Sequence, residues 1–174
     1  MTDLPPGELI VTRSDVTIGL DLLASQLQPI LLSQPCTLIG VMTGGLYPMM
    51  RLVERLEGNF FIDYCHVSRY RGNKEPGAIH WLSKPHLPVS DRVVIVIDDI
   101  LDEGVTLKAA SDLCSDLGAA RVYTAVLIEK DVPRKLLEKP DFSGSIIVPN
   151  RYVFGCGMDL DNGWRHLDEI YALP

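Results

Sequence analysis

Apolar runs and amphipathic stretches alternate along most of this chain. The runs predicted as strands cover residues 37–42, 59–67, 93–97 and 121–128. The central run, 93–97, is β-branched and shows no alternation, which is typical of a strand covered on both faces in a parallel sheet. Apolar residues at helical spacing predict helices over 16–31, 49–56 and 107–117. The predicted fold is therefore α/β, with a mostly parallel sheet flanked by helices.

Local signals suggest where these elements begin and end. Ser14 is expected to cap the first helix, and Pro29 to bend or end it. Gly118 is expected to end the third helix. Residues 79–82 are expected to form the returning strand of a hairpin.

Polar residues follow the central run at the point where the strand is expected to end. Asp98 and Asp99 come first, and Asp102, Glu103, Gly104, Val105 and Thr106 follow in a short turn. Ligands of open α/β sheets bind outside the carboxyl ends of strands, and free N–H groups at a helix start suit a phosphate. An ordinary turn with Asp102 as helix N-cap is the alternative, but the full run favours a phosphate site.

A second strand-to-helix turn carries two glycines. Thr43, Gly44 and Gly45 follow the run at 37–42. Paired glycines leave backbone N–H groups free to bind an anion. Taken alone, such a turn is more often only a tight connection.

Composition narrows the possible functions. A chain of 174 residues suits one domain with a single core. The net charge of −7 argues against nucleic-acid binding, which requires Lys and Arg to neutralise phosphates. The same acidic balance suits a site that gathers carboxylates around a metal ion.

Cysteine positions and the chain start bear on the cellular compartment. Cys36, Cys65, Cys114 and Cys156 are scattered without a C-x-x-C pair, so buried free thiols in a reducing compartment are expected. We find no signal-peptide pattern and no apolar run judged long enough to span a membrane. The expectation is a soluble cytoplasmic protein with no membrane partner.

The central stretch resembles the ribose-phosphate motif of type I phosphoribosyltransferases. It reads four apolar residues, two acids, two apolar residues and Asp-x-Gly-x-Thr, and the resemblance extends from about residue 37 to the C-terminus. The resemblance implies that residues 102–106 hold the 5′-phosphate of phosphoribosyl pyrophosphate (PRPP). It also implies that Asp98 and Asp99 accept the ribose hydroxyls and that one of them reaches Mg²⁺.

The glycine turn is similar to the pyrophosphate loop of purine phosphoribosyltransferases, which commonly reads Lys-Gly-Gly or Lys-Gly-Ser. Thr43 stands in place of the lysine, and the resemblance implies a cis peptide between Met42 and Thr43. The polar segment 68–77 resembles the family's lid, with Tyr70 matching its tyrosine and Arg69 replacing its serine. The lid cations could offset the missing lysine; the alternative is a solvated basic loop.

The C-terminal stretch, residues 139–159, resembles the hood of hypoxanthine–guanine phosphoribosyltransferases. By this resemblance Lys130 donates to the purine 6-oxo group, Tyr152 stacks on the ring and the Val153 backbone contacts its edge. Asp159 would hold a second Mg²⁺ through water, and Arg165 would bind pyrophosphate.

The activity that the resemblance implies is purine salvage: transfer of the phosphoribosyl group of PRPP to N9 of hypoxanthine or guanine, giving IMP or GMP and pyrophosphate. Asp102 would face purine N7 and share its proton as charge builds on the ring. We expect the Glu103 side chain to point to solvent, because a carboxylate beside phosphate is unfavourable, and only its N–H to touch phosphate.

The resemblance also implies an organisation for the whole chain. Residues 1–174 would form one phosphoribosyltransferase domain, with a hood made of the N-terminal segment and about 130–174, assembling as a dimer or tetramer. Two alternatives stay open: a phosphoribosyltransferase for another base such as xanthine, and a regulatory RNA-binding protein of the same fold.

Overall fold

The structure, a computed structural model, describes residues 4–69, 79–134, 136–137 and 139–174. The elements in chain order are β1 (Glu8–Val11), α1 (Arg13–Ser33), β2 (Cys36–Met42), α2 (Leu46–Val53), β3 (Phe60–Arg69), β4 (Ile79–Ser83), β5 (Val93–Leu101), α3 (Val105–Asp116), β6 (Arg121–Lys130), β7 (Phe142–Val148), β8 (Val153–Phe154) and β9 (Ile170–Ala172).

The main sheet has the strand order β4-β3-β2-β5-β6-β7. All neighbouring pairs are parallel except β3 and β4, which form the predicted antiparallel hairpin. A small antiparallel sheet of order β1-β9-β8 joins the two ends of the chain. The prediction of a mostly parallel α/β fold is confirmed.

The uninterrupted apolar run of β5 follows from burial on both faces. Ile95 and Ile97 pack in the cluster that contains α1 and α2, whereas Val94 and Val96 pack in the cluster that contains α3. Each side chain of the run therefore enters a core, so no polar alternation is needed. The strand continues to Leu101, beyond the predicted end, because its ladder with β6 persists past the acids.

The boundaries of α1 differ from those predicted. Its N-cap is Thr12, not Ser14: the Asp15 N–H donates to the Thr12 hydroxyl, and the Asp15 carboxylate accepts from the Thr12 N–H in a capping box. Pro29 does not end the helix, which continues to Ser33. Leu27 and Leu31 are both buried, and their packing on either side of Pro29 holds the last turn.

One helix is long and apolar enough to span a membrane by its length and composition, so the prediction that no apolar run is long enough is wrong. Helix α1 has 21 residues, and an 18-residue window within it has a mean hydropathy of 1.3, so the helix passes that test. Its buried side chains, including Leu20 and Leu23, belong to the main core, and the helix packs on β6 and β7. This arrangement is that of a core helix.

The four cysteines are free and buried, as predicted. Burial raises the pKa of the Cys65 thiol to about 12 and that of Cys114 to about 11. These thiols are therefore protonated at neutral pH and serve as small apolar core residues.

We predict that packing of α1 on the sheet is a main source of stability. Replacing Leu27, which is fully buried, by alanine should lower the free energy of unfolding by about 2–5 kcal/mol, since a cavity is left in the core. The matched control is Leu32→Ala on the same helix, where the side chain is 65% exposed and the change should stay within about 0.5 kcal/mol. Urea unfolding measures both, and equal losses would contradict this account.

Candidate functional site

A cavity of about 250 Å³ lies at the carboxyl ends of β5 and β6. Its lining comprises Asp99, Ile100, Asp102, Lys130, Tyr152, Val153, Met158, Asp159 and Arg165. Strand topology explains this gathering, because parallel neighbours end at the same edge of the sheet and the segment after β7 returns over that edge. Residues proposed for the purine, the ribose and pyrophosphate thus share one crevice.

A smaller cavity of about 150 Å³ adjoins the first, since Asp99, Ile100 and Asp102 line both. Gly104 and Thr106 also line it. Its position at the start of α3 is the one predicted for a phosphate.

The turn into α3 is built around a glycine. Gly104 is the N-cap, with φ of +80°, and no side chain caps the helix. The alternative of Asp102 as N-cap is therefore wrong. Helix N–H groups that no side chain caps are suited to an anion. The Glu103 side chain is exposed, as expected from its charge.

Asp98 and Asp99 form a buried carboxylate pair, each 8% exposed. The Asp99 N–H donates to Asp98 Oδ1 at 2.9 Å, and the Ile100 N–H donates to Asp99 Oδ1 at 2.7 Å. Burial, followed by the Asp99 charge, raises the pKa of Asp98 well above its ordinary value. Burial also raises the pKa of Asp99 to about 6, and the Arg165 guanidinium partly offsets this rise.

The glycine turn packs directly against this pair. A Cβ added to Gly44 would clash with the Asp99 carboxylate, and one added to Gly157 would clash with the Gly44 carbonyl oxygen. Only glycines allow these three segments to meet so closely. The Met42–Thr43 peptide is cis, as the resemblance implied.

One expectation for the glycine turn is wrong. The Gly45 N–H donates to the Val41 carbonyl oxygen at 2.8 Å, so it is engaged within the turn and is not free for an anion. A Cβ at Gly45 would lie 2.6 Å from the Ile97 carbonyl oxygen, so close packing explains this glycine. Thr43 lines a separate cavity of about 300 Å³ that shares Arg165 with the first.

Lys130 and Asp102 form an ion pair across the ends of β6 and β5. Lys130 Nζ lies 3.1 Å from Asp102 Oδ2, with the lysine 15% and the aspartate 43% exposed. The pair places a cationic donor beside a partly exposed carboxylate on the cavity wall. A planar heterocycle with an oxo group and a ring nitrogen can bind to both groups at once.

Another part of the cavity wall comes from the segment after β7. The Tyr152 ring is half exposed, and its hydroxyl donates to the Asp159 carbonyl oxygen at 3.0 Å. Arg165 donates to Asp159 Oδ1 at 2.8 Å, and the Asn162 N–H donates to Asp159 Oδ2 at 3.0 Å. Both carboxylate oxygens of Asp159 are thus engaged within the protein.

The acids of the cavity bear on whether the site fits Mg²⁺. The described part of the chain contains no group of three or more His, Cys, Asp or Glu residues that could hold a metal ion. Mg²⁺ is commonly held by one or two carboxylates together with water and substrate phosphates. Asp98 and Asp99 fit this mode, because they supply hard oxygen donors beside the candidate phosphate site.

The lid segment cannot be compared with its prediction, and one arginine near the site was not predicted. Tyr70 and the rest of segment 70–78 lie outside the described residues, and the backbone of Arg69 ends β3. Arg134 was not predicted, although it donates to backbone carbonyl oxygens at the ends of β5 and β6. The available signal was an arginine four residues past a strand that carries a candidate site residue.

Comparisons with known proteins agree with this geometry. The family described as "Phosphoribosyl transferase domain" matches residues 18–162. The hypoxanthine-guanine phosphoribosyltransferase of Streptococcus pneumoniae is 28% identical over 167 residues, covering 95% of this chain and 92% of the relative. The Aquifex aeolicus protein of that name is 28% identical over 141 residues, covering 80% and 79%.

A solved structure has a similar fold. The hypoxanthine phosphoribosyltransferase of Staphylococcus aureus superposes with a TM-score of 0.87 at 26% identity, covering 96% of this chain and 91% of that chain.

We predict that the carboxylate pair destabilises the free protein at high pH. The folded pKa of Asp99 lies above its unfolded value near 3.9, so the folded state binds more protons between these values and stability falls as pH rises through about 6. Asp99→Asn should therefore be more stable than the parent by roughly 1–3 kcal/mol at pH 8, with a smaller gain at pH 5.

Urea unfolding at both pH values checks this prediction. Asp112→Asn is the control, because Asp112 is an exposed helix residue paired with Lys108, and its change should stay within about 0.5 kcal/mol. An Asp99→Asn variant less stable than the parent at pH 8 would contradict the prediction that the ionised Asp99 carboxylate destabilises the folded protein.

Proposed function

The chain belongs to the phosphoribosyl transferase domain family, and we propose that it acts in purine salvage, transferring the phosphoribosyl group of PRPP to N9 of hypoxanthine or guanine. The products would be IMP or GMP and pyrophosphate. The observation that carries this proposal is the joining of two cavities at Asp99 and Asp102. One has the character of a phosphate site, and the other offers a cation, a carboxylate and a ring face.

The phosphate end of the proposed site uses backbone donors. Residues 102–106 would hold the 5′-phosphate through N–H groups at the start of α3 and through the Thr106 hydroxyl. Asp98 and Asp99 would accept hydrogen bonds from the ribose hydroxyls. When ionised, this buried pair would place negative charge beside the reacting sugar, where positive charge develops.

Mg²⁺ is the proposed cofactor, held by Asp98 or Asp99, with a second ion near Asp159 through water. When bound, it neutralises charge on the departing pyrophosphate. Arg165 would contact pyrophosphate with its guanidinium, which already lies between Gly157 and Asp159. Thr43 and Gly44 would face the pyrophosphate from the other side, with Gly45 providing the close packing behind them.

Lys130 would distinguish 6-oxo purines from 6-amino purines at the base end of the site. Its ammonium would donate to a 6-oxo group, whereas the 6-amino group of adenine would leave this charge unpaired. Lys130 does not distinguish hypoxanthine, guanine and xanthine, which all carry a 6-oxo group. Tyr152 would stack on the purine, and the Val153 backbone would contact its edge.

Asp102 would share the N7 proton while N9 attacks the ribose. Its carboxylate is partly exposed and already contacts Lys130, so a bound purine would compete for that ion pair. As N9 forms its bond to the sugar, the ring becomes more positive and the N7 proton more acidic. A carboxylate at this point lowers the barrier by accepting or sharing that proton.

The remaining proposals concern organisation. We propose one phosphoribosyltransferase domain, 1–174, whose hood comprises the N-terminal segment and about 130–174, in a cytoplasmic dimer or tetramer. The small sheet of β1, β9 and β8 supports the hood, because it joins both chain ends beside Tyr152 and Val153. Arg69 and Tyr70 would belong to a lid that excludes water from the reaction.

We predict turnover of hypoxanthine or guanine with PRPP, and much slower turnover of adenine. Asp102→Asn should lower kcat by about 10²-fold or more, because an amide cannot take the N7 proton. Product formation from labelled PRPP with hypoxanthine, guanine, xanthine and adenine measures both effects. Full activity of Asp102→Asn would rule out the proposed role of Asp102. If no purine were turned over, the proposed activity would be ruled out.

Removing divalent cations should abolish turnover, and restoring Mg²⁺ should recover it, because the leaving pyrophosphate then regains its counter-charge. The same treatment should weaken PRPP binding measured by calorimetry. Undiminished turnover after exhaustive chelation would contradict the proposed cofactor.

A further inference from the structure

Arg134 joins the ends of the two strands that carry the proposed base-binding pair. Its side chain is only 11% exposed, although it belongs to the connection after β6. Nothing in the proposed reaction requires Arg134 to touch substrate. Its contacts instead are with the backbone at Leu101, Asp102 and Lys130.

These contacts are directional. Arg134 Nε donates to the Asp102 carbonyl oxygen at 2.8 Å, and Nη2 donates to the Leu101 carbonyl oxygen at 3.0 Å. Nη2 also donates to the carbonyl oxygen of Lys130. One planar guanidinium therefore fixes the backbone of both members of the Lys130–Asp102 pair, for which its several N–H groups in a rigid fork are suited.

The contact with Asp102 also sets the direction of the next N–H group. The Asp102–Glu103 peptide is trans, so the Asp102 carbonyl and the Glu103 N–H point in opposite directions. Because the carbonyl points at Arg134, the Glu103 N–H points away from the guanidinium. Hydrogen bonding at the carbonyl also polarises the peptide, which strengthens this N–H as a donor.

The guanidinium is itself held in place by β6. Arg134 Nη1 lies 4.0 Å from Glu129 Oε2, and the Ser143 hydroxyl donates to Glu129 Oε1 at 2.6 Å. Glu129 pairs in register with Leu101 across the β5–β6 ladder. The arginine thus lies between a fixed carboxylate and the carbonyl oxygens that it binds.

We infer that Arg134 is a positioning residue, which orients the Glu103 N–H toward the sugar phosphate and sets the spacing of Asp102 and Lys130 around the base. This inference rests on the proposed function and extends it. The guanidinium acts through its geometry, because Nε and Nη2 donate from two nitrogens held in one plane, whereas a lysine offers all its donors from a single nitrogen on a flexible stem.

The test compares Arg134→Met and Arg134→Lys with the parent enzyme. Both variants should raise KM for PRPP and the Kd of ribose 5-phosphate by about 10-fold or more, and both should lower kcat, since misplacement by about 1 Å can cost 10²-fold. The lysine variant keeps the charge and a flexible stem, so it decides the question if the methionine variant does not fold.

A purely structural role gives a different result. It would lower the folded fraction and hence the apparent kcat, but KM and the ribose 5-phosphate Kd of the folded molecules would match those of the parent. Parental KM and Kd values in Arg134→Lys would overturn the inference. The matched control is Arg55→Met, because Arg55 also donates to a carbonyl oxygen, that of Arg51, and to the carboxylate of Asp21. It should leave both constants unchanged.

Failure of the proposed function can be told apart from failure of this inference. If the parent enzyme turned over no purine, the proposed function would fall, whereas ribose 5-phosphate binding would still test Arg134. If the parent is active and Arg134→Lys matches it in both constants, only the positioning role is lost.

Discussion

The site depends on two adjacent carboxylates buried at the end of β5. Burying Asp98 and Asp99 is costly, and their raised pKa values express this cost. Backbone N–H groups of Asp99 and Ile100 compensate part of this desolvation cost, and the part that remains favours the binding of positive charge. A metal ion or the positive charge that develops on a reacting sugar can offset this remaining cost. The unfavourable burial of the two acids in the free protein therefore favours the charged species of the reaction.

Close backbone contact holds the surrounding segments against this pair. Gly44 and Gly157 meet at Asp99 with no room for side chains, so the turn after β2 and the segment after β8 are placed relative to β5. The ion pair of Lys130 and Asp102 then links β6 to β5 on the same edge. The cavity between these contacts is shaped by backbone as much as by side chains, which limits how far it can deform.

Much of the fold could be predicted because its cause is local. The β-branched run at 93–97 has no alternation since both faces are covered, and Gly104 follows it at the point where a left-handed residue is required. The spacing from Asp98 to Thr106 therefore indicated a phosphate site in a strand-to-helix turn. The misplaced cap at Ser14 and the continuation of the helix past Pro29 show the limit, because distant packing and a neighbouring threonine decided those boundaries.

The sequence by itself determined the alternation of strands and helices, the acids at the end of β5 and the helix start beside them, because each follows from nearest neighbours along the chain. Only the tertiary structure decided that Lys130 contacts Asp102, that Gly45 uses its N–H within the turn, and that Arg134 binds carbonyl oxygens of two strands. Such contacts join residues distant in sequence or depend on backbone direction, and no local pattern encodes which carbonyl oxygen a buried arginine will reach.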